Sequence, residues 1–261
     1  MAAVDLNALF APSNPLNVIK KAFEQEHTRF VKAMKKKNTA KNSEDGNSKW
    51  ATRLFNLWNG YEKRLPSQYM NEKLVSTGEI LVKLQEYGLA LHQCFDRYIL
   101  WIERQTGKST DVLFKEQYFQ AEESNETKQT ELTIRAFLGR VICAYRLVVS
   151  QDSRLESINT QNYTISLLET LRKTMTVSVT NEKLSWLTYN GTIYVYTIAR
   201  SLMSVGLSSK VLEYLLWVAN AMESAVALLA VKYLTWRVTL YAAVCQCYYD
   251  CKAGVCTTGT E

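Results

Sequence analysis

Apolar residues recur three and four positions apart along most of this chain, the spacing that lays them on one side of an α-helix. The first such run follows Pro15. Val18, Phe23, Phe30, Val31 and Met34 predict a helix to about Lys36, with Asn14 as N-cap and Pro15 at the first helical position. The stretch KKKNTAKNSEDGNS is polar and aperiodic and reads as a mobile linker. Trp50, Leu54, Leu57, Trp58 and Tyr61 then form a second stripe that closes before Pro66.

Residues 69–104 read as two helices, YMNEKLVSTGEILVKL and LALHQCFDRYILWI, folded back on each other at QEYG. Gly78, Tyr87 and Ala90 fall where a tetratricopeptide-type repeat places a small residue, an aromatic at the turn and a second small residue. Small residues let two helix backbones approach, and the aromatic fills their splayed end. Leu81 and Cys94 depart from that pattern, standing where larger aromatics are usual. Residues 105–130 mix turn residues with charge and read as an irregular excursion.

Helical spacing resumes in ELTIRAFLGRVICAYRLVV and QNYTISLLETLRKTMTVSV. The hairpin logic then recurs around Ala199, with Gly206 ending the first helix and Ser208 opening the second. The β-branched run GTIYVYTIA would suit a buried strand, but its flanks are helical and no partner strand is visible. The last periodic segment, VKYLTWRVTLYAAVCQCYYDCKAG, reads as the first half of a further hairpin, its turn at Gly254 and its second half missing. The expected fold is therefore all-α: antiparallel helical hairpins stacked as an irregular tetratricopeptide-like α-solenoid. Its expected parts are a basic N-terminal helix and polar linker (1–48), a hairpin region (49–104), the excursion (105–130), a repeat region (131–254) and a disordered tail (255–261). An apolar face left uncovered at the end suggests the start of a longer protein or a truncated product.

Composition agrees with long helices and few tight turns. With 261 residues, 47% of them hydrophobic, the chain can bury a sizeable core. It has only 10 Gly and 3 Pro, well under the usual share of about 7% and 5%. The net charge of +6 sits at one end: residues 1–65 hold 12 Lys and Arg against 6 Asp and Glu, and the remainder 19 against 19. Lys20, Lys21, Lys32, Lys35, Lys36 and Lys37 make a candidate contact for an acidic partner, set against the plainer reading of a solvated helix face. No secretory leader is legible, and charges interrupt every apolar stretch well short of the ~20 residues that span a membrane. A cytosolic, membrane-free protein is expected, so the sequons at Asn125, Asn162 and Asn190 carry little weight.

Four of six cysteines crowd the end, as Cys245, Cys247, Cys251 and Cys256. Zinc wants four ligands converging from paired knuckles, whereas on a helix Cys247 and Cys251 share a face and Cys245 points nearly opposite Cys247. A zinc site, a redox pair and small buried hydrophobes are the three readings, and packing is favoured; no metal or other cofactor is expected. The two imidazoles, His27 and His92, lie far apart without a catalytic constellation. Gly107-Lys108-Ser109 echoes the end of a phosphate loop, but Ile102 stands where that loop needs glycine. No catalytic motif is present and no enzyme is expected. Trp101, Trp186, Trp217 and Trp236 are assigned to the inter-helix core in preference to a peptide pocket. Nucleic-acid binding through the basic arm lacks interleaved aromatics and a reading motif.

The strings NGTIYVYTIAR, SSKVLEYLLWVANAMES and YLTWRVTLYAAVCQCYYDCKAG, with LFNLWNGYEKRLPSQYMNEKLVSTGEILVKLQEYGLALHQCFDRYI upstream, resemble the N-terminal region of the cilia- and flagella-associated protein 54 family. The resemblance spans about 53–104 and 184–254. It implies a non-catalytic scaffold in a central-apparatus projection of the motile axoneme, serving assembly and motility of cilia and sperm flagella. Implied partners are other central-apparatus proteins, with tubulin a candidate for the basic arm. The alternative is a soluble cytosolic adaptor binding a peptide, which would need a concave groove with convergent Asn, Lys and Arg side chains.

Overall fold

The computed structural model describes residues 15–40, 47–107, 109 and 124–258, and every regular element among them is helical. In chain order these are α1 (Pro15–Ala40), α2 (Asn47–Tyr61), α3 (Ser67–Lys83), α4 (Tyr87–Ala90) and α5 (Asp96–Thr106). A π-helical turn, Leu91–Phe95, joins α4 to α5. Then come α6 (Ser124–Gln151), α7 (Ile158–Val179), α8 (Ser185–Met203), α9 (Ser208–Ser224) and α10 (Leu234–Thr258).

From α6 onward each helix packs on the next and on the next but one, the arrangement of stacked hairpins in an α-solenoid. GTIYVYTIA lies within α8, where the expected helix stands against its β-branched propensity because tertiary packing outweighs it. Several boundaries differ from the sequence reading. α1 runs past Lys36 to Ala40, since the lysine run continues a helix even after its apolar stripe stops. α6 begins at Ser124, ahead of Glu131 and inside the segment read as irregular. α10 passes through Gly254, where a turn is expected, and reaches Thr258. The putting of Asn14 as a cap, the linker at 41–46, the middle of the excursion and residues 259–261 fall outside the described residues.

Two apolar cores share α6 as a wall. On one side Ala136, Phe137 and Cys143 join Phe23, Trp58 and Tyr98. On the other Ile134, Leu138, Val141 and Ile142 join α7, α8 and the inner side of α10. Two charged contacts tie this wall to the N-terminal hairpin: Arg135 donates to both Glu79 carboxylate oxygens at 2.8 and 2.7 Å, and Arg140 Nε donates to Asp96 at 2.9 Å.

The departure at Cys94 has a structural answer. Cys94 and Phe95 are both fully buried, and the ring the repeat wants at Cys94 comes from Phe95 one position later. The π turn holds one residue more than an α-turn and accommodates that offset. A Cβ added to Gly78 would lie 2.7 Å from the Phe95 ring, and one added to Gly139 on α6 would overlap it, so the ring is wedged between two glycine-lined backbones.

Candidate interaction surfaces

On α1, Phe23, Phe30 and Met34 form the buried stripe, and Lys21, Lys32, Lys35 and Lys36 project from the other side, all exposed. Lys20 is also exposed, its ammonium 4.7 Å from the centre of the Tyr69 ring. Lys37 differs: it is half-buried and paired with Glu86 at 2.8 Å, holding the end of α1 to the α3–α4 turn. The basic side is thus a surface of four lysines, with Lys20 set against Tyr69 and Lys37 paired with Glu86.

The histidines are structural neighbours of their own helices and hairpins. His27 Nε2 lies 2.7 Å from Thr77 Oγ1, and its pKa is lowered below the usual imidazole value by burial and then by the charge of Lys73. His92 is within 3.2 Å of Asp96, one turn on. Gly107 caps α5 in the left-handed conformation, its N–H donating to Glu103 at 2.8 Å, and Lys108 lies outside the described residues.

The cysteines of α10 divide between two sides of the helix. Cys247 is buried and its thiol pKa is pushed up to about 11 by burial, Cys251 is half-buried, and Cys245 is exposed, so the expectation that all of them pack is corrected for Cys245. The Cys256 side chain lies outside the described residues. The reason is the helix itself. Leu240, Ala243, Val244 and Cys247 form an inner stripe against α9, while Leu234, Val238, Tyr241, Cys245, Tyr248 and Tyr249 form a second stripe on the opposite side. A helix apolar on both sides is built for neighbours on both sides.

The tryptophans also divide. Trp217 and Trp236 pack on the C-terminal core, and Trp236 Nε1 donates to Thr192 at 2.8 Å. Trp186 is 41% exposed because its neighbours Leu184 and Leu187 take the core positions at the start of α8. Trp101 is half-buried and lines a groove of about 500 Å³ between α3, α5 and α6. That groove gathers Gln68, Asn71, Lys128, Gln129 and Arg135, and so contains the Asn, Lys and Arg combination that the sequence does not display. The signal was hidden because three separate helices supply these residues. Among the described residues no cluster of His, Cys, Asp and Glu could hold a metal ion, and no helix is long and apolar enough to cross a membrane.

Comparison with known proteins places these features in a family. Residues 43–258 match the family described as cilia- and flagella-associated protein 54. A mouse protein of that name is 41% identical over 254 residues, which is 95% of this chain and 8% of the mouse protein. The human protein of the same name is 40% identical over 259 residues, covering 97% of this chain and 8% of its own length. A Chlamydomonas reinhardtii protein so named is 29% identical over 193 residues, 74% of this chain and 6% of that protein. The chain therefore spans less than a tenth of the length of these relatives.

Proposed function

The chain belongs to the cilia- and flagella-associated protein 54 family, and from that premise we propose that it is a non-catalytic scaffold segment of the motile-cilium axoneme, within a projection of the central apparatus. The observation that carries the ciliary part is the family match across 43–258, shared by mouse, human and algal relatives. What supports a scaffold is the stack itself: each helix buries its apolar side on its neighbours, and α10 offers a second apolar stripe on which another helix packs as α9 packs on the first. The array is thereby extendable, and its partners are other axonemal proteins.

The exposed lysines of α1 contact an acidic partner in this reading, with a tubulin tail the leading candidate. Charge of this kind acts within a Debye length of about 10 Å at 0.1 M salt. Replacing Lys21, Lys32, Lys35 and Lys36 by Gln is expected to weaken co-sedimentation with microtubules at low salt; unchanged binding would remove the contact. For the assignment to the axoneme, peptide mass spectrometry is run on motile cilia of the source organism, separating detergent-soluble material from axonemes before and after a high-salt wash. Peptides from this region retained in the washed axoneme are the expected result. Their confinement to the soluble fraction would overturn the scaffold reading.

A further inference from the structure

Asn71 differs from the buried threonines around it, whereas the fully enclosed side-chain atom without a partner among the described residues is Trp58 Nε1. Asn71 is 4% exposed, and no group among the described residues hydrogen-bonds its amide. The buried threonines nearby behave otherwise, sending their protons to the preceding turn: Thr77 to Lys73 at 2.6 Å and Thr133 to Gln129 at 2.8 Å. A carboxamide carries two donors and a two-lone-pair acceptor, and those of Asn71, unpartnered within the described residues, remain accessible from the groove. Asn71 lines the groove between α3, α5 and α6, so a partner reaches it from that side.

We propose that this groove binds an extended polypeptide segment, with the Asn71 amide holding one main-chain peptide group and Trp101 seating an adjacent side chain. A carboxamide and a peptide group are complementary: the side-chain oxygen accepts the N–H while the side-chain NH₂ donates to the C=O. An extended segment presents those groups, whereas a helix has already used its own. Gln68 and Gln129 add further amides along the same lining. Trp101 stacks one side toward Tyr98, with ring centroids 6.0 Å apart, and gives an apolar platform beside the amides.

The charges argue against a carboxylate as the recognised group. Arg135 is already engaged by Glu79 at 2.8 and 2.7 Å and by Glu131 at 3.5 Å. Glu72 and Glu131 also line the groove, leaving Lys128 to face them. An incoming carboxylate would meet as much negative charge as positive, so neutral main-chain groups fit better.

The proposal does not depend on the ciliary assignment, and its test uses purified protein. Random peptides displayed on phage are selected on the whole chain, synthesised with free and amidated C-termini, and measured by fluorescence anisotropy. Asn71→Leu and Trp101→Ala are each expected to weaken binding by about tenfold or more, while Lys21→Gln on α1 leaves it unchanged. Amidation is expected to make no difference. Where Asn71→Leu fails to fold by circular dichroism, Asn71→Asp serves, since it keeps the shape and removes the donor hydrogens. Equal binding by the Asn71 variants, binding that disappears on amidation, or a selection that yields no binder to the native chain would each overturn the proposal.

Discussion

His27 is held by a hydroxyl that has only one proton to give. Thr77 donates that proton to Lys73 C=O at 2.6 Å, so its oxygen accepts at 2.7 Å from His27, whose Nε2 carries the hydrogen in the neutral ring. Burial and Lys73 disfavour the imidazolium, placing the folded pKa below the 6.5 of the unfolded chain. Below pH 6.5 the unfolded chain therefore takes up the proton first, so this contribution is complete above 6.5 and lost as pH falls toward the folded value. Urea unfolding is expected to show stability falling as the pH drops below about 6.5, and His27→Gln should flatten that slope. A second residue-scale test concerns the Phe95 wedge. Gly139→Ala should cost about 1–3 kcal/mol through overpacking, and adding Phe95→Leu should return part of it, measured as a non-additive pair. Gly78 was legible because repeat spacing marks it. Gly139 and Phe95 were not, since their meeting depends on a π turn and on a helix that arrives forty residues later in the chain, roughly, as tertiary contacts do.

At the scale of elements, the two hairpin turns share one hydrogen-bond pattern with different residues. After α8, Gly206 has φ 79°, its N–H donates to Met203, and Leu207 N–H donates to Leu202. After α3, Gln85 has φ 62°, its N–H donates to Val82, and Glu86 N–H donates to Leu81. Both are Schellman caps, which favour glycine at the left-handed position. Gly206 made its turn readable, whereas at QEYG the glycine is Gly88, which lies inside α4, and the cap falls on Gln85. Gln85→Gly is accordingly expected to stabilise the chain by about 0.5–1 kcal/mol, and Gly206→Gln to cost about 1–2 kcal/mol, both read from denaturant midpoints. Exposure differs just as sharply among the thiols of these elements. Cys245 on the outer stripe of α10 should react with a maleimide in the native chain, while Cys94 and Cys143, fully buried with pKa values raised by burial, should react only on unfolding.

For the molecule as a whole, the decisive feature is that α10 has two apolar stripes, of which the inner one packs on α9 and α8 and the outer one is exposed. Periodicity exposed the helix but could not say which stripe was inner, because both repeat at the same spacing and only the place of α9 distinguishes them. The groove at Asn71 was illegible for a related reason: its residues come from α3, α5 and α6, whose juxtaposition no single segment encodes. The outer stripe from Leu234 to Tyr249 is a contiguous apolar strip of the kind that marks an interface. In isolation the 261-residue chain should therefore associate with itself in a concentration-dependent way, seen in sedimentation velocity. Val238→Lys combined with Tyr248→Lys should return it to monomer without lowering its thermal midpoint, because both side chains are about half exposed and neither supports the inner core. Loss of fold in that double variant would mean the stripe already serves the packing of this chain, and a monomer at every concentration in the unmodified protein would mean that the stripe is no docking face for another helix.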